Sequence, residues 1–458
     1  MARETTESLC PVCLRRIPAE RVDHDGQVLL EKTCPDHGEF KTVIWNGPPH
    51  LKEWRRPKTP APVQPGRKET SHGCPFDCGL CREHRQRSCT VLLEVTRRCN
   101  LRCPVCFADA RPDADRDPGL DEIRDWYRIA RKMAPGSNIQ LSGGEPTLRD
   151  DLPDIVAEGR ACGFGFIQLN TNGIRLANDA GYVKALKDAG LASVFLQFDG
   201  TDDAVHLELR GRALTDVKRR AIAACAACGI GVVLVPTLVP GVNTDQIGAL
   251  LRLAIDLSPA VRGVHFQPVS YFGRCPPPAN NGARLTLPEL MRALEHQGAG
   301  MIRAADFHPP GCENAWCSFH AEYLTLPGGG LRRLGPPASK SHFCPSVPAA
   351  EGARRAIAHV ARQWAGTNDC TAEPGPSSTA TPGGGKDSLD GERMRLDDFL
   401  DRARAHTFSV SAMAFQDAWT IDLERLRDCC IHVLDPRYGL VPFCAYNLTA
   451  RDGKAFYR

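Results

Sequence analysis

The sequence lacks a long hydrophobic run. Its longest apolar stretch, IGVVLVPTLVPGV at 230–242, is too short to cross a bilayer and contains two prolines, so no transmembrane segment is expected. The start, MARETTESLCPVC, has neither the basic nor the apolar region of a signal peptide, and the expected compartment is a reducing cytoplasm. Strong charge of either sign is also missing. The net charge is +3 at pH 7, and no basic stripe interleaved with aromatics occurs, so no nucleic-acid partner is expected. Hydrophobic residues at 42% and charged residues at 24% are ordinary for a chain that buries a core. A length of 458 residues suggests two to four domains.

Cysteine is what the chain has in excess. Its 21 cysteines fall in C-x2-C and C-x3-C-x2-C groups, which favours metal over disulfides. Cys99, Cys103 and Cys106 follow the apolar run VLLEV (91–95) directly. A strand running into a tight loop can wrap three thiolates around three corners of a cubane iron–sulfur cluster. The fourth iron then has no protein ligand and is open to a substrate, unlike the closed cluster of an electron carrier. Zinc is the rival reading, but it wants four ligands, often as C-x2-C pairs.

Two further groups precede this one. Cys10, Cys13, Cys34 and His37 sit in two short turns joined by the hairpin-like DHDGQVLLEK, the pattern of a small closed site for zinc or a single iron. After a proline-rich linker (55–69), Cys74, Cys78 and Cys81 repeat the C-x3-C-x2-C spacing, and Cys89 follows eight residues later. Four thiolates would close a second four-iron cluster, with His84 the alternative to Cys89 as fourth ligand. Catalysis is assigned to 99–106, because a strand precedes that triad and a helical pattern (120–133) follows it.

From 91 onward, apolar runs alternate with amphipathic helical patterns. The runs lie at 91–95, 138–143, 165–173, 193–200, 231–237 and 263–270. Six strands with crossover helices predict an α/β fold, a partial (β/α)6 barrel of the TIM type with chemistry at the strands' carboxyl ends. The second strand ends in SGGEPT. Its glycines allow close approach of a ligand, and Gly143, Gly144, Glu145 and Pro146 present backbone to it. Asn170, Asn172 and Asp199 close the third and fourth strands, Arg210 offers a fork for a carboxylate, and Gln267 ends the sixth. Beyond the barrel, Cys312, Cys317, Cys429 or Cys430, and Cys444 form a candidate third cluster, with zinc and buried thiols as alternatives. Residues 367–388 are low-complexity and read as a mobile insertion. The expected units are a metal knuckle (1–54), a linker with an auxiliary cluster (55–90), a catalytic core (91–300) and a C-terminal auxiliary-cluster domain (301–458).

The order CPVC…CPDHG, GCPFDCGLC, EVTRRCNLRCPVCFA, SGGEPT, then MAFQDAW, CCIHV and PFCAYN resembles the radical S-adenosylmethionine (SAM) branch that contains tetraether lipid synthase and hydroxymethylpterin methyltransferase. The resemblance implies a SAM-binding four-iron cluster on Cys99, Cys103 and Cys106, with GGEP taking the SAM amino group. It also implies one or two auxiliary clusters, a metal knuckle at the start, and a flavodoxin or ferredoxin as low-potential donor. The implied reaction is hydrogen abstraction by a 5′-deoxyadenosyl radical followed by C–C bond formation, on a lipid chain or a pterin-like molecule. A lipid substrate would bring a transient membrane contact. The competing functions are a maturase or sulfur-inserting enzyme acting on a peptide or protein, and an iron–sulfur electron carrier.

Overall fold

In the computed structural model, described residues are 2–55, 58–61, 70–79, 81–114, 116–278, 280–334, 347–366, 402 and 405–458. The insertion read at 367–388 lies outside them.

The first 46 residues form a four-stranded antiparallel sheet in chain order: β1 (Ala2–Leu9), β2 (Arg16–His24), β3 (Gln27–Cys34) and β4 (Gly38–Asn46). It docks on the rest of the protein through polar contacts that are partly or fully buried. Arg21 donates to Asp422 at 2.7 Å, and the Lys32 ammonium donates to the Ala418 carbonyl at 2.8 Å.

The predicted alternation of runs and helices becomes a single twelve-stranded sheet. Its parallel centre is β5 (Thr90–Thr96), β6 (Asn138–Gly143), β7 (Ile167–Thr171), β8 (Ser193–Gln197), β9 (Gly231–Val235) and β10 (Val261–Pro268), each paired with the next. Crossover helices cover the outside: α1 (Leu120–Met133), α2 (Leu152–Ala161), α3 (Ala180–Asp188), α4 (Asp203–Arg210), α5 (Thr215–Ala227) and α6 (Ile247–Asp256). Helix α1 shows the local logic. Ile123, Tyr127 and Ala130 are spaced to share one face and are buried, and Asp121 and Glu122 in the first turn oppose Arg131 and Lys132 in the last, as the helix dipole favours. Full burial of a side chain such as Ile123 is worth about 2 kcal/mol.

The region after 300 was expected to stand apart as a domain. Instead it extends the barrel sheet at both edges. Strand β13 (Thr407–Met413) adds parallel to β10, and β11 (Ser318–Thr325) pairs antiparallel with β13, with β12 (Leu331–Arg333) outside it. At the other edge β14 (Ile431–Asp435) adds parallel to β5, followed by the antiparallel β15 (Gly439–Pro442). Helix α7 (Leu287–Gln297) packs on α6, and α8 (Ala349–Trp364) closes the amino end of the barrel, where its Trp364 carbonyl lies so near Gly231 that a Cβ there would fall 2.3 Å from it. Among the described residues no helix is long and apolar enough to cross a membrane.

Candidate active site

The loop after β5 turns back on itself, and Cys99, Cys103 and Cys106 all line the same cavity in the barrel lumen, about 670 Å³ in volume. Leu101, Leu214, Ile174 and Val217 pack around the three thiols. Burial pushes the Cys99 thiol up to about 12 and raises Cys103, against the pull of Arg210. Such thiols stay protonated at neutral pH unless a cation replaces the proton, so the donor set fits a metal cluster rather than a free nucleophile.

Two features that sequence reasoning missed hold this loop. Arg274 donates to the Cys103 carbonyl at 2.8 Å, to the Asp109 carboxylate at 2.9 Å and to the Ala110 carbonyl at 3.0 Å. Beside it, Gly273 has φ +62°, and a Cβ there would meet the Cys106 carbonyl oxygen at 2.5 Å. A lone arginine in a proline-rich loop carries no spacing signal.

The GGEP segment explains its own glycines. Gly143 has φ +115°, and a Cβ on it would fall 2.1 Å from the Thr96 carbonyl oxygen; on Gly144 it would fall 2.1 Å from that of Arg98. The end of β6 thus lies against the chain entering the cysteine loop, fixed by Gly144 N–H to Thr96 O and Glu145 N–H to Arg98 O, both 2.8 Å. The Glu145 carboxylate is spent on structure: it accepts from the hydroxyls of Thr147 (2.6 Å) and Thr171 (2.7 Å) and from Asn172 N–H (2.7 Å). Gly143, Gly144 and Glu145 line the cavity, whereas Pro146 does not and opens a short 3-10 turn behind it.

The polar residues at the strand ends divide. Asn170, Arg210 and Gln267 line the cavity. Asn170 donates to Ser142 at 3.2 Å, and its Oδ1 is buried without a hydrogen-bond partner among the described residues. Asp199 is fully buried behind the wall rather than at the mouth. It accepts two bonds from the Arg210 guanidinium, 2.7 and 2.6 Å, and one from Thr237 N–H at 3.0 Å. Burial works against charge here, but Arg210 outweighs it and holds the Asp199 carboxyl below the usual range. The pair is one unit: the Arg210 fork closes on Asp199, and further donors of the guanidinium reach the Val105 carbonyl and the Thr237 hydroxyl, both at 3.1 Å.

The other cysteine groups differ in part from the expected ligand sets. Cys10, Cys13, Cys34 and His37 do converge, with their ligand atoms all within 4.8 Å. Cys89, however, is not with Cys74, Cys78 and Cys81. It sits at the amino end of β5, bonded to Cys312, with the Cys430 sulfur within 4.8 Å. The bond and a metal are alternative states of these thiols. The expected set of Cys312, Cys317, Cys430 and Cys444 is accordingly split. Cys429 and Cys430, though adjacent in the chain, lie with different partners. Cys430 joins Cys89 and Cys312 on the lumen, while the half-buried Cys429 lies near Cys317 and Cys444, with Arg425 donating to the Cys317 sulfur at 3.4 Å.

Deeper in the lumen, Phe195 lies 4.8 Å from Trp364 and stacks on His265 at 5.5 Å, ring centre to ring centre. His265 Nδ1 is 2.9 Å from the Ser411 hydroxyl, and burial lowers its pKa to about 4, so the imidazole is neutral. Gln140 and the Glu322–His359 pair (2.8 Å) also line this space. Trp364 and His359 belong to α8, whose apolar spacing (Ala349, Ala353, Ala356, Val360) could have announced it in the sequence.

Comparison with known proteins places this geometry. Residues 93–254 match the model of the radical SAM superfamily, and residues 2–46 match that of the HMPTM N-terminal zinc ribbon domain. The chain is 34% identical to 7,8-dihydro-6-hydroxymethylpterin dimethyltransferase of Methanocaldococcus jannaschii, over 98% of this chain and 94% of that protein. It is also 34% identical to GTP 3′,8-cyclase of Erythrobacter litoralis, over 35% of this chain and 49% of that one. Among solved structures, SuiB of Streptococcus suis bound to S-adenosylmethionine aligns with a TM-score of 0.37 and 16% identity, over 46% of this chain and 47% of that one. A partial barrel with three thiols and a GGEP edge at its carboxyl mouth defines the class, a radical SAM enzyme that uses a four-iron cluster and SAM. Within that class the chain belongs to the family of the Methanocaldococcus dimethyltransferase.

Proposed function

We propose that the protein is a radical SAM methyltransferase acting on a hydroxymethyl-dihydropterin, the substrate in the name of its M. jannaschii relative. The observation that carries this reading is the lumen below the cysteine loop, which combines flat aromatic walls with polar edges. Phe195, Trp364, His265, Gln140 and Glu322, which line it, suit a flat heterocycle better than an alkyl chain.

Cys99, Cys103 and Cys106 would hold the four-iron cluster, and the Gly143–Gly144 edge, Asn170, Arg210 and Gln267 the SAM molecule. When bound, cluster and SAM together supply an electron and a radical able to take hydrogen from carbon. Arg210, locked by Asp199, would place a fixed positive charge at the cavity wall beside SAM without having to find its rotamer. Phe195 and Trp364 would hold the ring by its face, while neutral His265 and the Gln140 amide offer hydrogen bonds at its edge. Helix α8 closes the lumen from the amino end and keeps water from the reacting carbon.

The remaining units have supporting roles in this reading. The ribbon's Cys10, Cys13, Cys34 and His37 would bind zinc or a single iron for structure. Cys89, Cys312 and Cys430 would carry an auxiliary cluster at the far end of the lumen. A flavodoxin- or ferredoxin-type protein would deliver electrons.

The test uses reduced, reconstituted protein with SAM, the small-molecule fraction of a cell extract and 6-hydroxymethyl-7,8-dihydropterin. Mass spectrometry should find the pterin heavier by methyl groups. Unchanged pterin alongside coupled lipid chains would overturn the proposal.

A further inference from the structure

Three carboxylates line the lumen, and two of them are engaged in building it. Glu145 accepts from Thr147, Thr171 and Asn172, and Glu313 accepts from the Ser318 hydroxyl beside the Cys430 sulfur. Glu322 is placed differently. It lies within β11 directly opposite Ser409 of β13, so the two side chains leave the sheet on the same face. That face is the lumen side, against α8. The Ser409 hydroxyl accepts from the Trp364 indole N–H at 3.0 Å, and Glu322 Oε1 lies 2.8 Å from His359 Nε2. Carboxylate and aromatic wall therefore meet at one level of the barrel. Arg355, the arginine of α8 that lines the lumen, is paired with Glu351 at 2.6 Å. An ionised carboxylate can accept about four hydrogen bonds, and the His359 contact uses one oxygen. No other side-chain partner of Glu322 occurs among the described residues.

We propose that Glu322 reads the 2-amino edge of the pterin ring and sets the specificity of the site. The inference rests on the dihydropterin reading given above. That edge carries two donors side by side, the ring N3–H and the exocyclic 2-amino group. The two oxygens of one carboxylate accept both in parallel, as they accept a guanidinium fork. With the ring against Trp364, a carboxylate at its edge fixes which way round the ring lies, and so which carbon faces the SAM-binding mouth. A ring with a carbonyl at position 2 would set oxygen against oxygen and is rejected.

Full-length reconstituted protein with SAM is titrated by equilibrium dialysis with 6-hydroxymethyl-7,8-dihydropterin and with its 2-oxo counterpart, the dihydrolumazine. The unmodified sequence should prefer the pterin on the order of a hundredfold. Glu322→Asp should keep that preference at lower affinity. Glu322→Gln should bind the pterin more weakly and the lumazine more tightly than the unmodified protein does. Its amide can donate to the 2-oxo group while accepting from N3–H, and such a gain does not come from loss of structure. Equal affinity of the unmodified protein for both rings, or an unaltered preference in Glu322→Gln, would overturn the assignment and leave the dihydropterin reading standing. Binding of neither ring by the unmodified protein would overturn that reading, and the assignment with it.

Discussion

Cys89 immediately precedes strand β5 and Cys99 follows it by three residues, so one strand carries a sulfur group at each end. At about 3.3 Å per residue, β5 separates the two groups by roughly 20 Å. The lumen runs between them, with Cys99, Cys103 and Cys106 at the carboxyl mouth and Cys89, Cys312 and Cys430 at the opposite end.

Gly143→Ala tests the close contact between the end of β6 and the cysteine loop. The positive φ and the 2.1 Å approach to Thr96 O leave no room for a methyl group. Backbone strain of this kind costs about 1–3 kcal/mol. Urea unfolding should report that loss, and SAM cleavage to 5′-deoxyadenosine should fall sharply with it. Near-normal cleavage would show that the edge tolerates displacement.

Asp199→Asn removes the charge that positions Arg210. Breaking a buried pair of this kind costs about 3–5 kcal/mol. Thermal unfolding should drop accordingly, and equilibrium binding of SAM should weaken because the guanidinium is no longer held. Unchanged SAM affinity in a destabilised protein would assign the pair to stability alone.

Trp364→Ala should separate the two half-sites. Loss of one aromatic face is worth about 1.4 kcal/mol, a tenfold rise in KM for the pterin. SAM cleavage in the absence of pterin should persist, since Trp364 lies on α8, remote from the cysteine loop. Equal losses in both measurements would mean that α8 supports the whole barrel instead.

The pH dependence of stability should carry the signature of His265. Burial lowers its folded pKa to about 4 from an ordinary value of 6.5. Between these values the unfolded chain binds a proton that the folded chain does not, so stability falls as pH drops from about 6.5 to about 4. His265→Gln should flatten chemical denaturation midpoints across that window. An unchanged slope would place the titration elsewhere.

The six central strands were legible because each is a short apolar run bounded by turn residues. Their register and the closing strands were not. Strand β13 pairs with β10 across about 140 residues of intervening sequence, and β14 returns to β5 from still farther. No local pattern encodes such partners. The same gap explains the cysteines. Spacing groups thiols that are close in sequence, and so it joined Cys89 to its neighbours at 74–81, whereas the pairing of β14 with β5 brings Cys430 to Cys89. Asp199 could be identified as a strand-end carboxylate, but not that it faces Arg210 and not the lumen.

The central claim, that the lumen presents a dihydropterin to the SAM-binding mouth, is tested most directly by hydrogen transfer. Reduced protein receives SAM and 6-hydroxymethyl-7,8-dihydropterin deuterated at carbon, and mass spectrometry follows the 5′-deoxyadenosine produced. Deuterium should appear in it, and should disappear in Cys99→Ala. Unlabelled 5′-deoxyadenosine formed at an undiminished rate would show that the radical never meets the pterin, and the account of the lumen would be wrong.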